Sequence, residues 1–216
     1  MEKQISSAIV KGWFHKLESH LECDVVIVGA GPSGLICAAK LASRGIKTAV
    51  FERKLAPGGG MWGGAMLFNQ IVIQAEALPI LDEFQIKYQD AGDGLYLADA
   101  VESTAALIYA AANSGAAVFT GITVEDVIVS ANRVNGVVIN WTPVSINKMH
   151  VDPLCITARI VLDGTGHPCE VVSILTSKNH IELDVPSRTV VYERSMNAVE
   201  GEKAAVEFTG QVYPGL

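Results

Sequence analysis

An α/β fold built around a parallel sheet is predicted by three features taken together. The run Asp24-Val25-Val26-Ile27-Val28 is apolar beyond its first residue, Gly29-Ala30-Gly31-Pro32-Ser33-Gly34 follows it at once, and a second apolar run over residues 47–51 ends in an acid, Glu52. Strands buried on both faces carry continuous apolar runs, as in parallel sheets covered by helices. A helix over residues 35–44 fits between the two runs as their crossover. Strand, glycine turn, helix, strand and acid in this order form a Rossmann-like dinucleotide fingerprint. Gly29 permits the tight turn, Gly31 lets backbone approach a pyrophosphate, and Gly34 lets the helix pack close to the strand. The helix start offers unpaired N–H groups to phosphate. Glu52 stands where a carboxylate accepts the hydroxyl protons of a ribose. The alternative is a glycine-rich turn in some other α/β fold.

The remaining elements extend this unit. Residues 1–21 read as an amphipathic helix laid against the domain, and residues 69–84 are helical in pattern. A short strand is expected near 86–88, a longer helix over 99–113 and a strand over 116–119. Segments 123–130 and 133–141, joined through Ala131-Asn132, form a β-hairpin. A loop through His150-Val151-Asp152-Pro153 leads to a strand over 155–162, which ends in Asp163-Gly164-Thr165-Gly166-His167 before a further helix. Strand-forming segments fall at 188–193 and 204–209. This order is that of the two-dinucleotide-binding-domain flavoprotein type of fold, with the hairpin inserted. The chain reads as a single domain over 1–216, and such a fold would continue past Leu216 with one more strand and a closing helix.

Composition narrows the function classes. A net charge of -7 argues against general nucleic-acid affinity, because phosphate backbones call for a basic surface. Half of the residues are hydrophobic, yet no uncharged run approaches the roughly 20 residues of a membrane span. The excess is assigned to parallel-sheet core and subunit interface. Glu2, Lys3, Lys11, Lys16 and Glu18 interrupt the first 21 residues, so no signal peptide is expected and a cytoplasmic location is. Cys23, Cys37, Cys155 and Cys169 form no CxxC pair and read as small apolar residues.

Five glycines occupy seven positions between Gly58 and Gly64, around Met61-Trp62. Backbone with so little side chain is suited to close approach to a ligand, and its place after Glu52 favours lining of a phosphate crevice. The other reading is a mobile loop anchored by Trp62.

Several motifs in order carry a family resemblance. Glu52-Arg53, the Gly-Gly-Gly-Met-Trp-Gly-Gly block, Val124-Glu125-Asp126-Val127, His150-Val151-Asp152-Pro153, Asp163-Gly164-Thr165-Gly166-His167 and Val212-Tyr213-Pro214-Gly215-Leu216 together resemble the Thi4 thiamine thiazole synthases in their archaeal form. The resemblance runs from about Ala8 to Leu216. It implies an enzyme of thiamine biosynthesis that consumes NAD as substrate: nicotinamide is lost, the ADP-ribose isomerised, glycine condensed and sulfur added to give an ADP-linked thiazole carboxylate. Family members that donate their own sulfur carry a cysteine where this chain has His150, so the resemblance implies the sulfide-dependent, multiple-turnover form. The other reading of His150 is a solvated loop histidine.

The resemblance also implies a site. Asp152 and His167 would hold Fe(II), with the aspartate arriving from a neighbouring subunit of a homo-oligomer, an octamer in the family. Without the family, His167 reads as a helix-start residue. Gly29, Gly31, Ser33 and Gly34 would hold the pyrophosphate, Glu52 the ribose, and Arg53 the adenosine side. Gly60 would approach the second phosphate or ribose, Val124 would read adenine through its backbone, and His150, Val151 and Asp152 would complete the pocket from another chain. His150, Asp152 and His167 are thus the expected catalytic set. Beyond Leu216 the family continues with a segment whose arginine binds the glycine carboxylate. Three alternatives stand beside this reading: an FAD-dependent oxidoreductase, a ribose 1,5-bisphosphate isomerase, and a non-catalytic nucleotide-binding protein.

Overall fold

The computed structural model describes residues 1–190, 201, 203, 207 and 209–216. Helix α1 (Glu2–Glu18) precedes β1 (Glu22–Val28), α2 (Pro32–Ala42) and β2 (Thr48–Glu52). Two short 3₁₀ turns lead to β3 (Gln70–Gln74), α3 (Leu78–Glu83), β4 (Tyr88–Gly92), β5 (Leu95–Asp99) and α4 (Ala100–Asn113). Then come β6 (Ala117–Thr120), β7 (Ile122–Ser130), β8 (Arg133–Trp141), α5 (Thr142–Asn147), β9 (Leu154–Asp163) and α6 (Glu170–Asn179).

The main sheet has the order β6-β2-β1-β9-β8-β7, and β3-β5-β4 form a separate three-stranded sheet. β6, β2, β1 and β9 run parallel, with Val28 beside both Phe51 and Asp163, while β8 and β7 are antiparallel to their neighbours. The apolar run of β1 is explained by what covers it. Val26 and Val28 enter a core shared with Phe51, Phe119, the hairpin residues Val134 and Ile139, and Val171 and Leu175 of α6. Val25 and Ile27 face the other way, into a core with Leu35, Ala38, Leu107 and Ala111 of α2 and α4. Both faces are therefore buried, as a parallel strand requires. The final residues are tied in as well: Val134 and Val161 donate backbone N–H bonds to the carbonyls of Pro214 and Gly215, at 2.9 and 2.8 Å.

Most expected elements stand where the sequence places them, including the hairpin, whose Ala131 and Asn132 both adopt positive φ (51° and 56°). Four differ. Residues 69–84 are not one helix: the alternation of Gln70–Gln74 pairs as a strand with β5, and α3 starts only at Leu78, with Pro79 in its first turn, where the missing N–H has no role. The strand expected near 86–88 lies at Tyr88–Gly92 and pairs with β5, which was not anticipated. Its signal was present, since Asp93-Gly94 is a hairpin dipeptide and both residues have positive φ (54° and 76°). Helix α1 forms, but only its C-terminal part lies on the domain. There Trp13 and Leu17 reach the core, whereas Ile5, Ile9 and Phe14 remain 52%, 66% and 59% exposed. Within the segments expected as late strands, Arg188, Thr189 and Val190 belong to no strand and Glu207 is helical; the rest of 188–193 and 204–209, apart from Thr209, lies outside the described residues.

Candidate active site

Two glycine turns meet at the carboxyl ends of β1 and β9. Gly29 has φ +95°, and a Cβ there would stand 2.6 Å from the Gly164 carbonyl oxygen. Gly164 in turn donates its N–H to the Val28 carbonyl at 2.8 Å. A side chain on Gly34 would fall on the Gly29 carbonyl oxygen and the Ile27 methyl, so α2 packs against β1 closer than any other residue allows. Gly31 is the N-cap of α2 and Pro32 occupies its first position; among the described residues no side chain caps this helix start. Ser33 is exposed beside it. The first turn of α2 thus keeps donors open for an anion.

Glu52 holds this turn from below. It is only 7% exposed, and its Oε2 accepts the Ala30 N–H while Oε1 accepts the Lys54 N–H, each at 2.8 Å. An ionised carboxylate has about four acceptor positions, so after these two bonds acceptor capacity remains for a diol. Arg53, directly after it, pairs with Glu170 of α6 at 2.5 Å, half exposed.

The glycine-rich stretch packs on the same turn. Gly58 donates its N–H to the Ala30 carbonyl at 2.6 Å, and Trp62 Nε1 donates to the Pro57 carbonyl at 2.6 Å. Gly60 is exposed, and a Cβ there would meet nothing within 4 Å. The segment is anchored by Trp62 and lies beside the glycine turn between β1 and α2. Met66, Leu67 and Phe68 beyond it are exposed, the first two with positive φ.

Val124 lies in β7, the edge strand of the main sheet, opposite Ile139. The register shifts between Val124 and Asp126, so a bulge at Glu125 turns this part of the edge away from regular pairing.

His167 sits in an exposed turn that follows β9. The base of the turn is fixed by Asp163, whose Oδ1 accepts the Thr165 N–H and hydroxyl at 3.0 and 2.6 Å and whose Oδ2 accepts the Val172 N–H at 3.0 Å. Thr165 Oγ1 accepts the Glu170 N–H at 2.8 Å, so both side chains satisfy free donors at the start of α6. Asp163 and Thr165 were quoted in the sequence motif without this role; an Asp at a strand end two residues before a Thr was the available signal.

His150, Val151 and Asp152 are all exposed, in the loop between α5 and β9. Asp152 precedes β9 and His167 follows it. The ten residues of that strand span roughly 30 Å at 3.3 Å per residue when straight. One chain therefore sets the two candidate ligands off opposite ends of one strand. Among the described residues no group of three or more His, Cys, Asp or Glu side chains is placed to hold a metal ion.

None of the cysteines stands beside His150 in the sequence, the nearest being Cys155 in β9. Burial pushes the Cys23 thiol up from 9.0 to about 11, and burial also raises Cys37 and Cys169. Thiols held protonated are weak nucleophiles.

With this geometry in hand, comparison with known proteins is decisive. Residues 6–216 match the Thi4 family. The chain belongs to that family. It is 47% identical over 215 residues to the thiamine thiazole synthase of Desulfosudis oleivorans, covering 100% of this chain and 83% of that protein. The crystal structure of Thermovibrio ammonificans THI4 superposes with a TM-score of 0.94 at 49% identity, again covering 100% of this chain and 83% of the other. A geranylgeranyl bacteriochlorophyll reductase-like protein from Thermoplasma acidophilum, 18% identical with a TM-score of 0.55, covers 79% of this chain and 44% of its own, and shares the fold alone. The Rossmann-like flavoprotein architecture is thereby shown. No helix among the described residues is long and apolar enough to cross a membrane.

Proposed function

We propose that this Thi4-family protein is a thiamine thiazole synthase of the sulfide-dependent kind, which converts NAD, glycine and sulfide into an ADP-linked thiazole carboxylate in the cytoplasm. One observation carries the reading: Gly29 packs on Gly164, so the dinucleotide turn and the turn bearing His167 form one continuous surface. A nucleotide held by the first presents its distal ribose to chemistry at the second.

The chain's own groups divide the work. The open N–H groups of α2 and the Ser33 hydroxyl bind the pyrophosphate, with Gly29, Gly31 and Gly34 allowing its approach. Glu52 uses its remaining lone pairs to orient the adenosine ribose, while its two backbone bonds keep the turn in shape. The Val124 N–H and C=O read adenine from the β7 edge, Gly60 lies along the second phosphate or ribose, and Arg53 closes the adenosine side from its pair with Glu170. Release of Arg53 from that exposed pair costs little.

An exposed carboxylate and an exposed imidazole are fitting donors for Fe(II), a borderline cation that takes both oxygen and nitrogen. His167 of one subunit and Asp152 of another would hold it, since one chain places them off opposite ends of β9. Held by these two residues, the metal would supply Lewis-acid chemistry. His150 cannot donate sulfur, and no cysteine takes its place, so sulfur enters as sulfide. The exposed apolar residues of α1 and of Met66, Leu67 and Phe68 supply contact area for the homo-oligomer this sharing needs.

Anaerobic incubation of the chain, extended by the family's C-terminal segment, with NAD, glycine, Fe(II) and sulfide, followed by mass spectrometry of small molecules released on heating, tests the proposal. The expected product is the adenylated thiazole carboxylate, formed in excess over protein and only with sulfide present. Release of unaltered FAD instead would support the oxidoreductase reading and overturn this one.

A further inference from the structure

Asn140 is a buried amide in an otherwise apolar stretch, following Val137, Val138 and Ile139 in β8, and is only 2% exposed. A buried amide is tolerated only where its hydrogen bonds are made. Its Oδ1 accepts the Trp141 N–H at 2.9 Å, and its Nδ2 donates to the Val151 carbonyl at 3.1 Å and lies 3.5 Å from Glu125 Oε2. Glu125 sits at the β7 bulge, accepts the Ser145 hydroxyl, and gives its backbone carbonyl to Lys178 at 2.8 Å. One polar network therefore joins the hairpin, α5 and α6 to the peptide immediately before Asp152.

We infer that Asn140 is a positioning residue for the Asp152 carboxylate, fixing the Val151 peptide so that an exposed loop presents its ligand in one orientation to a neighbouring subunit. This rests on the metal role given to Asp152 in the proposed function. His150, Val151 and Asp152 are exposed, so little packing from their own chain orders them. The other bonds here, Met149 N–H to the Val144 carbonyl at 3.0 Å and Val151 N–H to the Met149 carbonyl at 3.2 Å, stay within the loop and α5. Asn140 alone among these partners anchors the loop to the core strands. Partners that orient a metal-binding side chain act through geometry, and their loss typically lowers metal affinity about 10- to 100-fold.

Co(II) serves as the probe, read on the intact oligomer by calorimetry and by its visible absorption. Asn140→Asp keeps the size and the acceptor for Trp141 but removes the donor to Val151. It is expected to weaken Co(II) binding about 10- to 100-fold and to alter the visible bands, with ADP-ribose affinity close to the parent's; its melting temperature falls, because a buried carboxylate then faces Glu125 and the Val151 carbonyl. Asn140→Ser, smaller and uncharged, is measured in the same way if the Asp variant does not fold, with the same expectation. Asp152→Ala is run beside them. Unchanged Co(II) affinity in the Asn140 variant, with affinity lost in Asp152→Ala, would overturn the positioning role and leave the metal assignment standing. A parallel fall in Co(II) and ADP-ribose affinity would also overturn it, as general loosening. Retained Co(II) affinity in Asp152→Ala would remove the metal assignment itself, and this inference with it.

Discussion

The glycine turn at the end of β1 and the loop between α5 and β9 carry the two halves of one proposed site, and they are held in opposite ways. At the turn, backbone meets backbone: Gly29 lies against Gly164, Gly58 bonds to Ala30, and the buried Glu52 grips the N–H groups of Ala30 and Lys54. In the loop, His150, Val151 and Asp152 face outward, with the Asn140 amide as their tie to the core strands. The turn is complete within one chain, whereas in the proposed site the loop presents its groups to a neighbouring subunit. Binding and chemistry should accordingly separate under mutation.

The largest effect is expected at the metal. Asp152→Ala and His167→Ala should each abolish Fe(II) binding, since open positions cannot replace one of two protein ligands, while ADP-ribose still binds; calorimetry with each ligand distinguishes the two. Next comes the buried acid. Glu52→Ala should weaken ADP-ribose binding roughly 10- to 150-fold, the loss of one charge-assisted hydrogen bond worth about 1.5–3 kcal/mol, and should leave Fe(II) affinity near its starting value. Changing any of the cysteines to alanine should move neither constant appreciably. Gly34→Ala should lower unfolding stability by about 1–3 kcal/mol in urea titrations, because its methyl would have to displace the Gly29 carbonyl.

Smaller effects sharpen the contrast further. Arg53→Ala breaks a half-exposed pair with Glu170, which is worth about 1 kcal/mol or less to stability, so a larger loss in ADP-ribose affinity would mark the arginine as a ligand contact. The thiols give the mildest probe. Burial raises Cys23 from 9.0 to about 11, so its favourable contribution is fully present below about pH 9 and is lost as the pH climbs to about 11. Alkylation at pH 8 should label the exposed Cys155 first and Cys23 last, as read by peptide mass spectrometry.

How much of this was legible in the sequence follows the same division. The fingerprint from Asp24 to Glu52 could be read from its residues because Gly29 and Gly34 answer local steric demands and the strands are apolar on both faces. The small sheet β3-β5-β4 was not read, since the alternation of Gln70–Gln74 is short and also fits one helical turn. Asn140 was missed because a lone polar residue at the end of an apolar strand run looks like the strand's exit into solvent. That Asp152 and His167 lie off opposite ends of β9 could have been inferred from the predicted strand between them, yet their partnership has no signal in one chain. In the proposed site it depends on how copies assemble, and it is implied by the family resemblance alone.

The most direct test of the shared site uses the two inactive variants together. Asp152→Ala and His167→Ala proteins are mixed, exchange of subunits is demonstrated by native mass spectrometry, and bound Fe(II) is measured. If the ligands come from different subunits, mixed oligomers contain some sites with both residues intact, and the mixture regains part of the metal that each variant lacks alone. A mixture that exchanges subunits and stays metal-free would contradict the account and place both ligands within one chain.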